Sequence, residues 1–407
     1  MKLIKDYSQI VGKEIIDELY LVADKLKGKK IQNINSTLSG GGVAEILSRM
    51  IPLMKDLGLD VGWDVLDADN KFFEITKKIH NALHGLGVDI NEEEYDYFLQ
   101  VNKANKDKIL DQSDIVYIHD PQPIALIDQD RDQGKKWLWR CHVDFSKPKE
   151  NVWEFLKAFI KKYQAAVFSA PAFARFLDCR QILISPSIDP LSDKNRNLEK
   201  REIDFVLEKY GIDPDKPIIT QISRFDHLKD PLGVIESYRL VKKYIDCQLI
   251  LAGGGASDDP QTAEVLKEAE NLASADKDIF VLHLPSQSNL EINALQRAST
   301  VILQKSLKEG FGLTVCEALW KQKPVIASAV GGIPLQIAHK YSGILTYTTE
   351  GTAYWIKQLI QEPEYAKRLG DHGKKHVANN FLITRQIQDY LLLFLSLYNK
   401  SDIVDLG

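Results

Sequence analysis

Residues 301–320 read VILQKSLKEGFGLTVCEALW, an apolar run followed by a loop with two glycines and then by a stretch of helical spacing. The apolar run at 301–303 predicts a buried strand. Gly310 and Gly312 would leave backbone N–H groups free at the amino terminus of the following helix, where phosphate binds readily. A strand, a loop and a helix in this order indicate a doubly wound α/β sheet that binds an anion at its edge.

The same rhythm of short apolar runs and amphipathic stretches extends through most of the chain. Further buried strands are predicted at residues 115–118, 137–141, 166–168, 218–222, 248–252, 279–282 and 324–327. Stretches of helical length, such as 231–244, 262–275 and 290–298, separate many of them. Strands that alternate with helices predict parallel sheets with helices on both faces.

A polar segment divides the chain into halves of comparable size. Residues 185–201 read SPSIDPLSDKNRNLEKR and lack apolar periodicity. We therefore expect one doubly wound domain at residues 1–185 and a second at 186–381. Such sheets bind ligands at the carboxyl ends of their strands, so two facing sheets would share one cleft.

Composition excludes several classes of protein. The 407 residues carry a net charge of −5 and are 44% hydrophobic and 27% charged, which disfavours disorder and a basic nucleic-acid-binding surface. The four cysteines form no CxxC pair, and we interpret them as reduced thiols. The longest apolar run, at 390–398, is far shorter than the roughly 20 residues of a spanning helix. We expect a cytoplasmic protein without nucleic-acid or membrane partners.

Charged residues after two of the predicted strands are candidates for binding a nucleotide sugar. Arg224 and Lys229 follow the strand at 218–222 and could neutralise a diphosphate, although loop cations are often merely solvated. Glu309 lies in the glycine loop and Glu317 about two helical turns further on, so the two carboxylates could hold hydroxyl pairs of two sugars. An acidic first helical turn would explain Glu309 but not Glu317.

The first half offers weaker candidates. Ser39 to Gly42 lie between an extended segment at 31–37 and a helix-like run at 43–57, and they form either a close backbone approach to a ligand or a tight turn. Polar residues that end or follow predicted strands are His119, Asp120, Arg140, His142 and Asp144. Two Asp-x-Asp strings, at 67–69 and 128–130, could bind a divalent metal, but such strings are common in an acidic chain. We expect no required metal, with a cation such as Mg²⁺ at most assisting.

Taken together, these motifs resemble the retaining glycosyltransferases with the GT-B fold, in which two Rossmann-like domains face a central cleft. Within that family, residues 63–85, 118–123 (IHDPQP), 139–144 (WRCHVD) and 304–317 are similar to the trehalose glycosyltransferring synthases, and somewhat similar to the retaining trehalose phosphorylases. The resemblance implies transfer of glucose from UDP-, ADP- or GDP-glucose to free glucose, reversibly and with retention, to form α,α-trehalose. It also implies that a helix at about 382–407 packs back on the first domain, and a homodimer is a possible assembly.

The resemblance implies roles for individual residues. The catalytic residues would be Glu309, His142, Arg224 and Lys229. The donor would be bound by Gly41, Gly42, Arg224, Lys229, His283, Leu284, Glu309, Gly310, Phe311, Gly312, Leu313 and Glu317. The acceptor glucose would be bound by Lys77, His80, Asn81, Asp120, Gln122 and Asp144.

Three alternatives to the synthase remain open at this point. A retaining trehalose phosphorylase would use phosphate as acceptor and would need an additional cationic pocket. A glycosyltransferase could use another acceptor, and a nucleotide-sugar sensor would bind the donor tightly without turnover. Front-face attack and a double displacement are both compatible with retention.

Overall fold

A computed structural model describes residues 2–38, 42–129, 134–254, 260–285 and 287–399. The chain divides into two compact units, Met1–Ser187 together with Ile383–Gly407, and Ile188–Leu382. Each unit contains, within the residues described, one six-stranded sheet in which all neighbouring strands are parallel. This is the α/β architecture that the alternating pattern predicts. No helix in the described part of the chain is long and apolar enough to cross a membrane.

The sheet of the first unit has the order β2-β1-β3-β4-β5-β6. Its strands are β1 Lys30–Asn35, β2 Asp60–Val65, β3 Ile115–His119, β4 Lys136–Cys141, β5 Ala165–Phe168 and β6 Arg180–Leu183. Its helices are α1 Ser8–Val11, α2 Lys13–Asp24, α3 Gly42–Asp56, α4 Asn70–Leu83, α5 Glu92–Ala104, α6 Glu150–Ile160 and α15 Ile383–Ser396. Every residue of β3 and β5 is buried, as expected for central parallel strands covered by helices.

The last helix of the chain belongs to the core of this first unit. Helix α15 packs against α2 and α3 and buries Ile387, Tyr390 and Phe394. The rings of Tyr390 and Phe394 meet the ring of Tyr117 on β3 edge to face, with centroids 5.3 and 5.9 Å apart. The apolar face of α15 thus covers the central strand.

The sheet of the second unit has the order β12-β11-β10-β7-β8-β9. Its strands are β7 Ile218–Ile222, β8 Gln248–Gly253, β9 Ile279–His283, β10 Val301–Gln304, β11 Val325–Ser328 and β12 Ile344–Thr346. Its helices are α7 Lys200–Tyr210, α8 Pro231–Lys242, α9 Pro260–Ala273, α10 Asn289–Ala298, α11 Leu313–Trp320, α12 Ile333–Gln336, α13 Thr349–Gln361 and α14 Pro363–Asn380.

Strand pleating gives this second sheet two cores, one on each face. Leu249 and Leu251 of β8 lie in the cluster that includes residues of α8, α9 and α13. Ile250 and Ala252 lie in the cluster that includes residues of α7 and α10. Alternate residues of one strand thus serve opposite faces, which is why the strand reads as a continuous apolar run.

Each strand order contains one point at which the winding direction reverses. In the first unit the reversal lies between β1 and β3, and in the second unit it lies between β7 and β10. Loops at the carboxyl ends of these strands diverge, and ligands bind there in doubly wound sheets. The loops that follow β7 and β10 carry Arg224, Lys229 and Glu309.

All eight strands predicted from apolar runs are present, with ends shifted by one residue at most. The strands β2, β6 and β12 were not predicted.

Candidate functional site

The glycine loop after β10, which contains Gly310 and Gly312, packs closely against a second pair of glycines, Gly331 and Gly332. Gly312 has φ of +82° and forms the amino-terminal cap of α11, so it adopts the left-handed conformation that glycine favours. A Cβ atom at Gly331 would lie 1.6 Å from the carbonyl oxygen of Glu309, and one at Gly332 would lie 2.5 Å from Cδ2 of Phe311. Only glycines allow the segment after β11 to approach the loop this closely.

Lys229 and Glu309 are brought together across the two loops. The Lys229 ammonium lies 2.7 Å from Oε2 of Glu309, which is 9% exposed. The same oxygen accepts hydrogen bonds from the Ser306 hydroxyl at 3.0 Å and from the Gln304 amide at 3.3 Å. Oε2 is therefore saturated, whereas Oε1 has no hydrogen bond to any of the described residues. Glu309 can offer Oε1 to a hydroxyl donor.

Gln221 joins the two loops through their backbones. Its amide nitrogen donates to the carbonyl oxygen of Lys229 at 2.8 Å, and its Oε1 accepts from the N–H of Lys305 at 2.8 Å. The Lys305 ammonium in turn pairs with Asp230, whose carboxylate accepts from Gly233 N at 3.0 Å at the start of α8. Gln221 was not a predicted site residue. A glutamine within the otherwise mostly apolar strand IITQI at residues 218–222 is the signal that could have identified it.

Arg224 forms no ion pair with Glu309 among the described residues. Its side chain is 57% exposed, and in the described part of the chain its guanidinium approaches one carboxylate, that of Asp226, at 3.6 Å. An exposed pair at this distance contributes little to stability. Arg224 therefore remains free to reorient toward an anion.

Glu317, on α11, is buried in a cluster of cations and amides. It is 3% exposed, and its Oε1 lies 3.5 Å from the Lys194 ammonium. The Lys321 ammonium donates to Asn195 at 3.0 Å, to Gln296 at 2.8 Å and to the carbonyl oxygen of Glu317 at 3.1 Å. Burial lowers the pKa of Lys321, and the negative charge of Glu317 opposes that effect.

One carboxylate oxygen of Glu317 remains unsatisfied. Its Oε2 is buried and has no hydrogen-bond partner among the residues described. Buried polar atoms are almost always paired, and an exception calls for an explanation. A ligand hydroxyl that donates to Oε2 would provide one.

His283 and Leu284 lie at the carboxyl end of β9, the edge strand of the second sheet. His283 ends β9 and is exposed, whereas Leu284 is buried. The N–H of Leu284 donates to the carbonyl oxygen of Gly253 at 2.9 Å. A backbone contact of Leu284 with a base would therefore use its carbonyl group.

In the first unit, His119, Asp120 and His142 meet at the carboxyl ends of β3 and β4. The backbone N–H of His142 donates to Oδ1 of Asp120 at 2.7 Å, and Nδ1 of His119 lies 3.4 Å from Nε2 of His142. Asp120 has φ of +67°, an uncommon conformation for a residue other than glycine. His119, which ends β3, and His142, which follows β4, thus belong to one polar cluster.

Burial shifts the protonation equilibria of this cluster. Burial and the nearby Arg140 charge lower the pKa of His119 to about 3 and hold the pKa of His142 well below its ordinary value. Burial raises the pKa of Asp120 to about 6. Both histidines are therefore neutral at physiological pH.

The place of Arg140 at a strand end predicted that it faces a ligand, and this prediction is wrong. Arg140 is fully buried, and its side chain bonds to His142 and to the carbonyl oxygen of Ile184. The alternation of side chains along β4 turns it into the interior of the unit.

The other predicted acceptor residues lie on separate elements of the first unit. Lys77, His80 and Asn81 lie on α4, where the His80 ring packs edge to face on His84 at 4.5 Å. Asp144 is 2% exposed and accepts from Ser146 N at 2.9 Å, and Gln122 has a buried Oε1 without a partner in the described chain.

The glycine segment of the first half is described only in part. Gly42 is the first residue of α3, whereas Gly40 and Gly41 lie outside the described residues. The predicted contact of Gly41 with the donor therefore stays a prediction.

The aspartate strings do not form a metal site in the part of the chain that is described. Asp69 caps α4 by accepting from Phe72 N at 2.9 Å, and it also accepts from the Tyr97 hydroxyl at 2.7 Å. Asp130 lies outside the described residues.

Comparison with known proteins gives matches to both units. A family described as trehalose synthase, N-terminal domain, matches residues 33–175, and the family glycosyl transferases group 1 matches residues 202–376. The trehalose synthase of Pyrococcus horikoshii is 43% identical over 97% of this chain and 96% of its own length. A trehalose phosphorylase of Pleurotus pulmonarius is 28% identical over 92% of this chain and 58% of its own length.

A solved structure with the same fold is sucrose-phosphate synthase from Thermosynechococcus elongatus. It matches with a TM-score of 0.72 at 18% identity and covers 92% of this chain and 100% of that chain.

Proposed function

Because the chain belongs to the trehalose synthase family of glycosyltransferases with the GT-B fold, we propose that it transfers glucose from a nucleoside diphosphate glucose to free glucose. The product would be α,α-trehalose, formed reversibly and with retention of the anomeric configuration. The observation that carries the proposal is the Lys229–Glu309 pair at the reversal point of the second sheet.

The second unit would bind the donor. Lys229 and Arg224 supply two cations after β7, and the amino terminus of α11 adds backbone N–H groups at Gly312 and Leu313. Departure of the nucleoside diphosphate places negative charge on its terminal phosphate. Cations and N–H groups that are already in position stabilise that charge without reorganisation.

The two carboxylates would bind hydroxyl groups of the donor. Glu309 has Oε1 available for the hydroxyls of the donor glucose, because Oε2 is held by Lys229, Ser306 and Gln304. The buried Oε2 of Glu317 fits the ribose hydroxyls as donors. Phe311 is 5% exposed and Gly310 precedes it in the loop, so these two residues would shape the wall beside the sugar.

The first unit would supply the acceptor residues. Asp120, Asp144 and Gln122 carry hydrogen-bond acceptors suited to glucose hydroxyls. The proposed roles of Lys77, His80 and Asn81 rest on the resemblance of residues 63–85 to the trehalose synthases. Front-face attack and double displacement both give retention, and the same leaving-group stabilisation serves either route.

The direct test is proton NMR of the purified protein with free glucose and, in turn, UDP-, ADP- and GDP-glucose. We expect the single anomeric signal of the symmetric product α,α-trehalose with at least one donor. Lys229→Met should abolish that signal, because the leaving phosphate would lose one of the two cations proposed to stabilise it. Since no metal is proposed to be required, the signal should persist in the presence of a chelator.

Two outcomes would redirect the assignment. Release of glucose 1-phosphate from trehalose and inorganic phosphate, without synthesis from a nucleotide sugar, would identify a phosphorylase. Tight binding of a nucleotide sugar with no product from any added sugar would identify a sensor.

A further inference from the structure

Arg140 makes a hydrogen bond whose direction is fixed by chemistry. Its Nε lies 3.2 Å from Nε2 of His142, and its Nη2 donates to the carbonyl oxygen of Ile184 at 2.8 Å. A guanidinium group stays protonated in proteins and has no acceptor. Arg140 must therefore donate, and Nε2 of His142 must accept.

This direction determines which ring nitrogen of His142 carries the proton. A neutral imidazole has one N–H donor and one bare acceptor nitrogen. If Nε2 is bare, the proton is on Nδ1. No described residue bonds to Nδ1, whereas the backbone N–H of His142 is held by Asp120 at 2.7 Å. The half-buried ring therefore offers Nδ1–H to a ligand.

His119, the other neighbour of Nε2, does not provide a competing proton. The side-chain nitrogen of Asn33 donates to the carbonyl oxygen of Gly62 at 3.2 Å, so its Oδ1 faces Nε2 of His119, 3.0 Å away. His119 then donates from Nε2 and is bare at Nδ1, the atom that faces His142. Nδ1 of His119 and Nε2 of His142 are then both unprotonated, and the N–H of Arg140 is the donor that Nε2 of His142 has among the described residues.

Arg140 is itself immobilised by its surroundings. It is fully buried, its guanidinium lies 5.4 Å from the centre of the Tyr390 ring, and the Tyr390 hydroxyl accepts from the Gln386 amide at 3.3 Å. The Gln386 amide oxygen in turn accepts from the Ser187 hydroxyl. Two hydrogen bonds and the contact with the Tyr390 ring thus direct Nε of Arg140 at His142, while its Nη1 is buried without a partner among the described residues.

We propose that Arg140 is a positioning residue that holds His142 as the neutral Nδ1–H tautomer. His142 then acts as a fixed hydrogen-bond donor to a sugar oxygen and not as a general base. The tautomer follows from the contacts within the first unit alone, whereas the identity of the acceptor atom as a sugar oxygen rests on the proposed function.

The test is a long-range proton–nitrogen NMR correlation on protein labelled with ¹⁵N-histidine. The His142 signals are assigned by their loss in His142→Gln. In the ligand-free wild type at neutral pH we expect a protonated Nδ1 and a bare Nε2. A protonated Nε2 in the wild type would overturn the proposal without any variant of Arg140.

Two variants separate positioning from general destabilisation. In Arg140→Met, Nε2 of His142 should gain the proton and donate to Nδ1 of His119. Arg385→Met is the matched control, because Arg385 donates to the neighbouring carbonyl of Ser185 at 2.7 Å and forms no bond to His142 within the described residues. The control should keep the wild-type tautomer, and retention of that tautomer in Arg140→Met would contradict the proposal.

Kinetics provide the second readout. Misplacement of a substrate-contacting group by about 1 Å can reduce a rate about 100-fold, so we expect kcat/KM of Arg140→Met to fall 10- to 100-fold. Binding of the nucleoside diphosphate without glucose should not change, because Arg224, Lys229 and the amino terminus of α11, which are proposed to bind it, lie in the second unit. If the wild type makes no trehalose but shows the expected tautomer, the proposed function fails and the positioning role of Arg140 stands.

Discussion

Glu317→Gln is the most informative single substitution in the second unit. The wild-type carboxylate is 3% exposed, with Oε1 3.5 Å from the Lys194 ammonium and Oε2 unpartnered among the residues described. In the glutamine variant the carbonyl oxygen should face the Lys194 cation. The amide nitrogen would then take the place of Oε2 and present a donor where the ribose hydroxyl needs an acceptor.

The expected size of the effect follows from the bond that is lost. A hydrogen bond to a charged group contributes about 1.5–3 kcal/mol, which corresponds to roughly 10- to 150-fold in affinity. The donor KM should therefore rise by about this factor. The value of kcat should change little, because the ribose bond is made equally in the ground state and the transition state.

The assay measures the donor KM at saturating glucose with a ribonucleotide donor and with the matching 2′-deoxyribonucleotide donor. The wild type should discriminate between the two, and Glu317→Gln should discriminate much less. Glu202→Gln is the matched control, because it removes the same charge from an ion pair with Arg196 in the same unit. An equal penalty on both donors in Glu317→Gln, or an unchanged KM, would refute the ribose role.

Three further predictions concern stability and loop geometry. Asp120→Asn should raise Tm at pH 8, by the equivalent of about 3 kcal/mol at most, because the raised pKa of Asp120 makes its buried charge costly above about pH 6. Thermal melts should show this gain disappearing near pH 4, where residue 120 is uncharged in both folded proteins. Because the pKa of Lys321 is lowered in the folded protein, the unfolded state binds more protons between about pH 7 and 10, and the free energy of unfolding should rise with pH in that window. Urea titrations should show a smaller rise in Lys321→Met. Gly331→Ala places a Cβ 1.6 Å from the Glu309 carbonyl and should abolish donor binding in calorimetry, whereas Gly87→Ala, where no atom lies within 4 Å, should bind normally.

The strands that could be predicted from sequence carry apolar runs; most of them lie inside the sheets, and the edge strand β9, IFVLH, is the exception. The apolar runs of β3, β7 and β8 are buried throughout, so their composition reports their position. The strands β2, β6 and β12, which were missed, lie at the edges of the two sheets. An edge strand is partly exposed, and sequences such as DVGWDV and RQIL carry no long apolar run.

The candidate site was only partly predictable for a related reason. The glycine loop and Glu309 are local in sequence, and a strand followed by a glycine loop has a recognisable pattern. The 2.7 Å contact between Lys229 and Glu309 joins residues 80 positions apart, which no spacing rule provides. The same holds for Lys194 beside Glu317. Arg140 was predicted to face a ligand from its place at a strand end, but the pleat of β4 directs its side chain into the interior of the unit.

The division of the chain has a consequence for its biosynthesis. Residues Ile188–Leu382 are continuous, whereas the other unit is assembled from Met1–Ser187 and Ile383–Gly407. On the ribosome, the second unit is therefore completely synthesised before the first unit receives α15. Until then, the ring of Tyr117 and the buried side chain of Arg140 lack the cover of Tyr390. This surface of the amino-terminal unit therefore stays uncovered while the second unit is synthesised. The amino-terminal unit begins first and is completed last.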